Sequence, residues 1–160
     1  MPRLRDIERA AGLAFADIDM KAVADDEPPS REVLLGYMNG GRAWVHAVEG
    51  EPAAYILADL IDGNAHVEQV SVHPDFRGRR LGHELVEHVA QWAAAQGLPA
   101  LTLTTFRDVV WNGPYYERCG FRWLTEEEIT PGLRELRKAE ADHGLDRWPR
   151  GCMRRELPAA

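Results

Sequence analysis

Cysteine is scarce in this chain: Cys119 and Cys152 are the only two in 160 residues. Two thiols so far apart exclude a disulfide-dense scaffold and make no C-x-x-C metal or redox unit, so a reducing compartment is expected. Long apolar runs are missing too, which removes a membrane-spanning class. No internal repeat or low-complexity linker interrupts the pattern. A surplus of positive charge is also lacking: 19 Lys and Arg stand against 26 Asp and Glu, a net charge of -7 with a pI near 5.4. That balance is a poor basis for binding nucleic acid. The opening MPRLRDIERAAG soon acquires Asp6 and Glu8 and lacks the apolar centre of a secretory signal. The expectation is a cytoplasmic protein with no nucleic-acid or membrane partner.

What is present is an ordinary globular composition, 45% hydrophobic and 28% charged, at a length that suits one domain over residues 1–160. Leu4, Ile7, Ala11 and Ala14 recur at helical spacing from about Arg3 to Ala16. After Asp25-Asp26-Glu27-Pro28-Pro29, Ser30 is placed to cap a helix that Gly40-Gly41 ends. Residues 44–48 and 53–58 read as a hairpin around Glu49-Gly50-Glu51, and Asp62-Gly63-Asn64 turns the chain into a third strand, His66 to His73. Leu81, Leu85, Val89 and Ala93 mark the next helix, closed by Gly97. A buried strand from Leu98 to Thr105 follows, then a short tyrosine-rich helix, a strand from Phe121, a helix from Leu133 to His143 and a last strand from Cys152 to Leu157. The class is α/β, and residues 130–160 either complete the fold or wall one side of a site.

The most informative segment is Val70 to Gly82, VSVHPDFRGRRLG, a basic turn set between a strand and an amphipathic helix. Amides at a helix start receive phosphate oxygens, the helix dipole favours their charge, and Gly78 and Gly82 let a ligand approach the backbone. Arg77, Arg79 and Arg80 add counter-charge. The order is neither that of a nucleoside-triphosphate loop nor that of a dinucleotide fingerprint. It resembles the GCN5-related N-acetyltransferases, whose turn is written Q/R-x-x-G-x-G/A and binds the pyrophosphate of acetyl-CoA. Arg77 fills the first position and Gly82 the last, while Arg80 stands where the family has glycine. Asn112-Gly113-Pro114-Tyr115-Tyr116-Glu117-Arg118-Cys119-Gly120-Phe121 resembles the family's later segment, an asparagine before a short helix carrying F/Y-Y-x-x-x-G-F.

The resemblance implies a mixed, largely antiparallel sheet flanked by helices, and transfer of acetyl from acetyl-CoA to a primary amine by direct attack in a ternary complex. It implies donor contacts from Val70, Ser71 and Val72, chiefly through backbone atoms beside a strand distortion. It extends these to Arg77, Gly78, Arg79, Arg80, Leu81 and Gly82 in the turn, and to Asn112 and Tyr116 later on. Tyr116 matches the tyrosine that protonates the departing thiolate; Tyr115 reads as an aromatic packing residue or pocket wall, and takes that place if Tyr116 faces inward. Glu68 is the first candidate to take the amine proton and His66 the second. Each has a plainer reading: core packing for Tyr116, a cross-strand salt bridge for Glu68, a satisfied hydrogen bond for His66. Without a catalytic transfer path, the same turn would serve an acyl-CoA-binding sensor or regulatory module.

Other chemistry-bearing residues take structural readings. Cys119 has no recognisable Cys-His-Asp order, so no acyl-enzyme is expected, and Cys152 reads as core. His73, before Pro74, reads as a strand end, and no spacing suggests a metal. Asn112 either meets the pantetheine arm or holds the loop that orders Tyr116. Asp25, Asp26, Glu27, Asp59 and Asp62 suggest an acidic rim for a cationic acceptor, small molecule or protein, and solvated loops explain them equally well. Trp148 suits an acceptor wall or the anchor of a homodimer.

Overall fold

The computed structural model describes residues 2–12, 30–76, 79–109, 112–145 and 149–158. These form two compact units, residues 1–58 with 68–89 and residues 59–67 with 90–160. The chain passes between them three times, at residues 58–59, 67–68 and 89–90. The strands hydrogen-bond in the order β1 (Ala43–Val48), β2 (Glu51–Ile61), β3 (Asn64–Val72), β4 (Ala100–Phe106), β6 (Arg150–Glu156), β5 (Arg122–Trp123).

In the first unit, α1 (Pro2–Gly12) is the described part of the expected first helix, and the rest of that expectation lies outside the described residues. Helix α2 (Arg31–Asn39) starts as expected at Ser30, whose hydroxyl accepts the Val33 N–H at 3.2 Å. The core joins Leu4 and Ile7 of α1, Leu34 of α2, and Tyr55 and Leu57, with Tyr37 and Ala43 packed against them. Strands β1 (Ala43–Val48) and β2 (Glu51–Ile61) form an antiparallel hairpin. Its two-residue turn places Glu49 at φ 52° and Gly50 at φ 84°, the signs that match strand twist. The register shifts between His46 and Ala47, where Ala47 faces Pro52. A proline cannot donate to a ladder, and a bulge beside it accommodates that loss.

The second unit holds the Asp62-Gly63 turn (φ 52° and 79°) between β2 and β3 (Asn64–Val72). It also holds β4 (Ala100–Phe106), α4 (Gly113–Arg118), β5 (Arg122–Trp123), α5 (Pro131–Asp142) and β6 (Arg150–Glu156). Helix α3 (Leu81–Ala95) begins in the first unit and ends in the second, closed at Gly97 (φ 78°) as its sequence implied. Strand β3 pairs parallel to β4 at Ala65–Leu101 and His66–Thr102, whereas β4–β6 and β5–β6 are antiparallel. This is the mixed, largely antiparallel sheet with flanking helices that was expected.

Strand β4 starts at Ala100 rather than Leu98, because Pro99 offers only its carbonyl, which accepts the Leu157 N–H at 2.9 Å. Helix α5 starts at Pro131 rather than Leu133, since a proline fits the first helical position. Asp62 caps that helix, its Oδ2 accepting from Gly132 N–H at 2.9 Å and from the Thr130 hydroxyl. Leu133 packs with Leu124 and Cys152 in a small core that Ile61 and Ile129 border. Glu140 ties α5 to the sheet by accepting from Thr104 at 2.5 Å, Arg137 at 2.9 Å and Arg150 at 3.3 Å. No helix among the described residues is long and apolar enough to cross a membrane.

Candidate active site

The first unit carries the end of β3, the basic turn and the head of α3. Across the Asp62-Gly63 turn, Ile61 opposes Asn64, and an unbroken register would set Val72 opposite Ala53. Instead the His73 N–H donates to the Ala53 carbonyl at 2.9 Å, so β3 holds one extra residue between its two ends. The strand distortion that the motif resemblance implied is therefore present in β3. Glu68 is exposed, Val70 and Val72 are half-buried, and Ser71 is buried with its hydroxyl accepting from Gln69 Nε2 at 2.8 Å.

Beyond the strand, His73 acts as the strand-end residue expected of it: its Nδ1 accepts the Asp75 N–H at 3.1 Å and its ring meets Phe76 edge-on. Arg77 and Gly78 lie outside the described residues. Arg79 is exposed, its guanidinium 5.3 Å from the centre of the Phe76 ring. Arg80 has φ 59°, the left-handed conformation that favours glycine, at the position where the motif has glycine. Its carbonyl accepts the Glu84 N–H at 3.0 Å, the first bond of α3. The amides of Leu81 and Gly82 thus precede the helical ladder, as donors an anion can use.

The second unit carries His66, Asn112 and Tyr116. His66 is 1% exposed and shares a hydrogen bond between Nδ1 and Thr102 Oγ1 at 2.9 Å. Burial lowers its pKa to about 4, against the opposing pull of Asp59 and Glu140, so the ring is neutral at pH 7. The Asn112 amide oxygen accepts from the Thr105 hydroxyl at 2.8 Å, and its backbone carbonyl accepts the Tyr116 N–H at 2.9 Å. Asn112 and Tyr116 are thereby brought together. Gly113 leaves no room for a side chain: a Cβ there would lie 2.5 Å from the Trp123 ring and 3.0 Å from the Phe106 and Arg107 carbonyls.

Tyr116 is buried and packs edge-on against Tyr115 and Phe121. Burial first, then the neighbouring Tyr115 and Cys119, push its phenol well above the ordinary tyrosine range, so it keeps its proton. Cys119 and Cys152 are buried and form no disulfide, and burial raises the Cys152 thiol to about 11, which disfavours a nucleophilic thiolate. Among the described residues no group of three or more His, Cys, Asp or Glu is placed to hold a metal ion. Thr102 and Thr105 were not singled out in the sequence, although hydroxyls in an otherwise apolar strand were the available signal.

Comparison with known proteins decides the family, because residues 5–121 match the model of the acetyltransferase (GNAT) family. The chain belongs to the GNAT acetyltransferase family. Among solved structures it is similar to the ribosomal-protein-S18-alanine N-acetyltransferase of Escherichia coli, with 19% identity, a TM-score of 0.66, and 99% of this chain and 88% of that one covered. PaiA N-acetyltransferase from Thermoplasma acidophilum, solved with coenzyme A, gives 14% identity and a TM-score of 0.71 over 98% and 92%. A streptothricin acetyltransferase from Bacillus anthracis, solved with acetyl-CoA, gives 17% and 0.63 over 83% and 78%. At these identities the likeness establishes a GNAT fold and leaves the acceptor open.

Proposed function

We propose that this GNAT protein is an N-acetyltransferase that moves the acetyl group of acetyl-CoA to a primary amine by direct attack. The observation that carries this reading is Arg80: a residue with a side chain adopts the left-handed conformation that the family motif gives to glycine. Arg80 thus takes the backbone conformation open to glycine without being glycine. Leu81 and Gly82 amides, with Arg77, Gly78, Arg79 and Arg80 around them, form the proposed pyrophosphate cradle.

In the proposed reaction the thioester carbonyl meets a backbone N–H of Val70-Ser71-Val72, beside the distortion of β3. The amine nitrogen attacks the carbonyl carbon, a C–N bond forms, and the C–S bond breaks. Glu68 takes the amine proton, directly or through water, and Tyr116 gives a proton to the departing thiolate. Glu68 is preferred to His66 because it is exposed, whereas the buried His66 ring is a weak base already engaged with Thr102. Tyr116 is given the acid role by its motif position, and burial keeps its phenol protonated. Asn112 serves by holding the Tyr116 segment. In this reading the acceptor is a small molecule or protein amine, and the place of reaction is the cytoplasm.

Amine-dependent release of free thiol from acetyl-CoA, across a broad panel of amines, tests the proposal. Binding of acetyl-CoA without release for any amine would instead support a non-catalytic acyl-CoA-binding module.

A further inference from the structure

Tyr55 takes no part in the reaction proposed above, yet it is 1% exposed and its hydroxyl is tied to α1. Tyr55 Oη donates to Glu8 Oε2 of α1 at 2.5 Å, as it must, since an ionised carboxylate only accepts. On β3, Ser71 stands across from Tyr55 in the register that the His73–Ala53 bond sets, and Ser71 Oγ accepts from Gln69 Nε2 at 2.8 Å.

The register of β3 shows what these ties hold. His66 lies opposite Asp59 in the unbroken part of the hairpin, and Asp59 and Tyr55 share one face of β2. Gln69 and Ser71 are joined across Val70 and share that same face, although odd numbers of positions separate them from His66, so the extra residue of β3 lies between His66 and Gln69. The Gln69–Ser71 bond and the His73 N–H fixed on Ala53 hold residues 69–73 in register just beyond the bulge. A bulge without such ties is free to move its extra residue along the strand.

We propose that Tyr55 is a positioning residue for acyl transfer: held by Glu8 and set against Ser71, it fixes the stretch of β3 just beyond the bulge, whose N–H meets the acyl carbonyl. This rests on the reading that residues 70–72 receive the acyl donor. An oxyanion donor is effective only when it is already aimed, so a loosened bulge slows the chemical step while leaving the distant pyrophosphate cradle intact.

The test compares Tyr55→Phe and Ser71→Ala with the wild type in steady-state thiol release at saturating acetyl-CoA and amine, alongside binding of CoA, which has no acyl carbonyl. Both variants are expected to lose about tenfold or more in kcat while the CoA Kd stays within about twofold. Glu8→Gln, which keeps an acceptor for the phenol, should retain most of the kcat that Glu8→Leu loses. Amide exchange at residues 69–72 should rise in Tyr55→Phe. An active wild type with unchanged kcat in the variants overturns the positioning role alone, as does a parallel loss of kcat, CoA affinity and thermal stability. A wild type that releases no thiol with any amine overturns the acetyl-transfer reading, and this proposal with it.

Discussion

Arg80 passes its carbonyl to the Glu84 N–H at 3.0 Å to open α3 while its own φ stands at 59°. The turn therefore holds an L-residue in a conformation that costs about 1–2 kcal/mol relative to ordinary helical backbone. Arg80→Gly removes that strain and adds the entropy cost of a more flexible unfolded chain, for a net gain of about 1 kcal/mol or less. Denaturant titration should show a higher midpoint with an unchanged slope. CoA affinity should fall by less than about tenfold, because the pyrophosphate loses the Arg80 counter-charge and keeps its backbone-amide donors. A lower midpoint would contradict the strained turn.

Gly113 tests the loop that joins Asn112 to Tyr116. A methyl group there meets the Trp123 ring and two backbone carbonyls, so Gly113→Ala should cost about 1–3 kcal/mol. Thr105→Val, which deprives the Asn112 amide oxygen of its donor, should cost about 1 kcal/mol. Chemical denaturation measures both, and an unchanged midpoint for Gly113→Ala would mean the loop packs differently.

His66 gives stability a definite dependence on pH. Its pKa is about 4 when folded and near 6.5 when exposed, so between those values the unfolded chain binds a proton that the folded one refuses. Above pH 6.5 both states are neutral and the group contributes no slope. As pH falls from 6.5 towards 4, stability is lost, by at most about 3 kcal/mol from this group. The unfolding free energy of wild type minus that of His66→Gln, followed from pH 7 to pH 4, should fall over that window. A flat difference would show that His66 titrates normally.

Much of this was legible in the chain because it depended on neighbours in sequence. Ser30 as a helix cap, Gly97 as a helix end, and the two hairpin turns each act through residues a few positions away, as does the motif from Arg77 to Gly82 that led to the family. What the sequence left hidden was set by partners far along the chain. Strand β6 lies between β4 and β5, an order that local periodicity does not encode. The extra residue of β3 is visible only against β2, and Asp62, read as a possible rim charge, is engaged with Thr130 and Gly132 at the start of α5. The burial of His66 was equally hidden, since its alternation with Glu68 suggested like surroundings and the structure gives them different ones.

The roles proposed for Tyr116 and Glu68 separate in kinetics. Tyr116→Phe should lower kcat by about a hundredfold or more and leave the acetyl-CoA Kd within a few-fold, since the ring packing survives and only the proton donor is lost. Glu68→Gln should abolish the acidic limb of the kcat/KM pH profile. An unchanged rate removes Tyr116 from the acid role, and an unchanged limb transfers proton acceptance to His66 or solvent.

The account stands most directly on the product. Mass analysis of the amine after incubation with carbon-13-labelled acetyl-CoA is predicted to show one labelled acetyl group on nitrogen, formed in step with free thiol and absent without protein. Thiol release with no acetylated amine, or bound acetyl-CoA left intact with every acceptor tried, would contradict it.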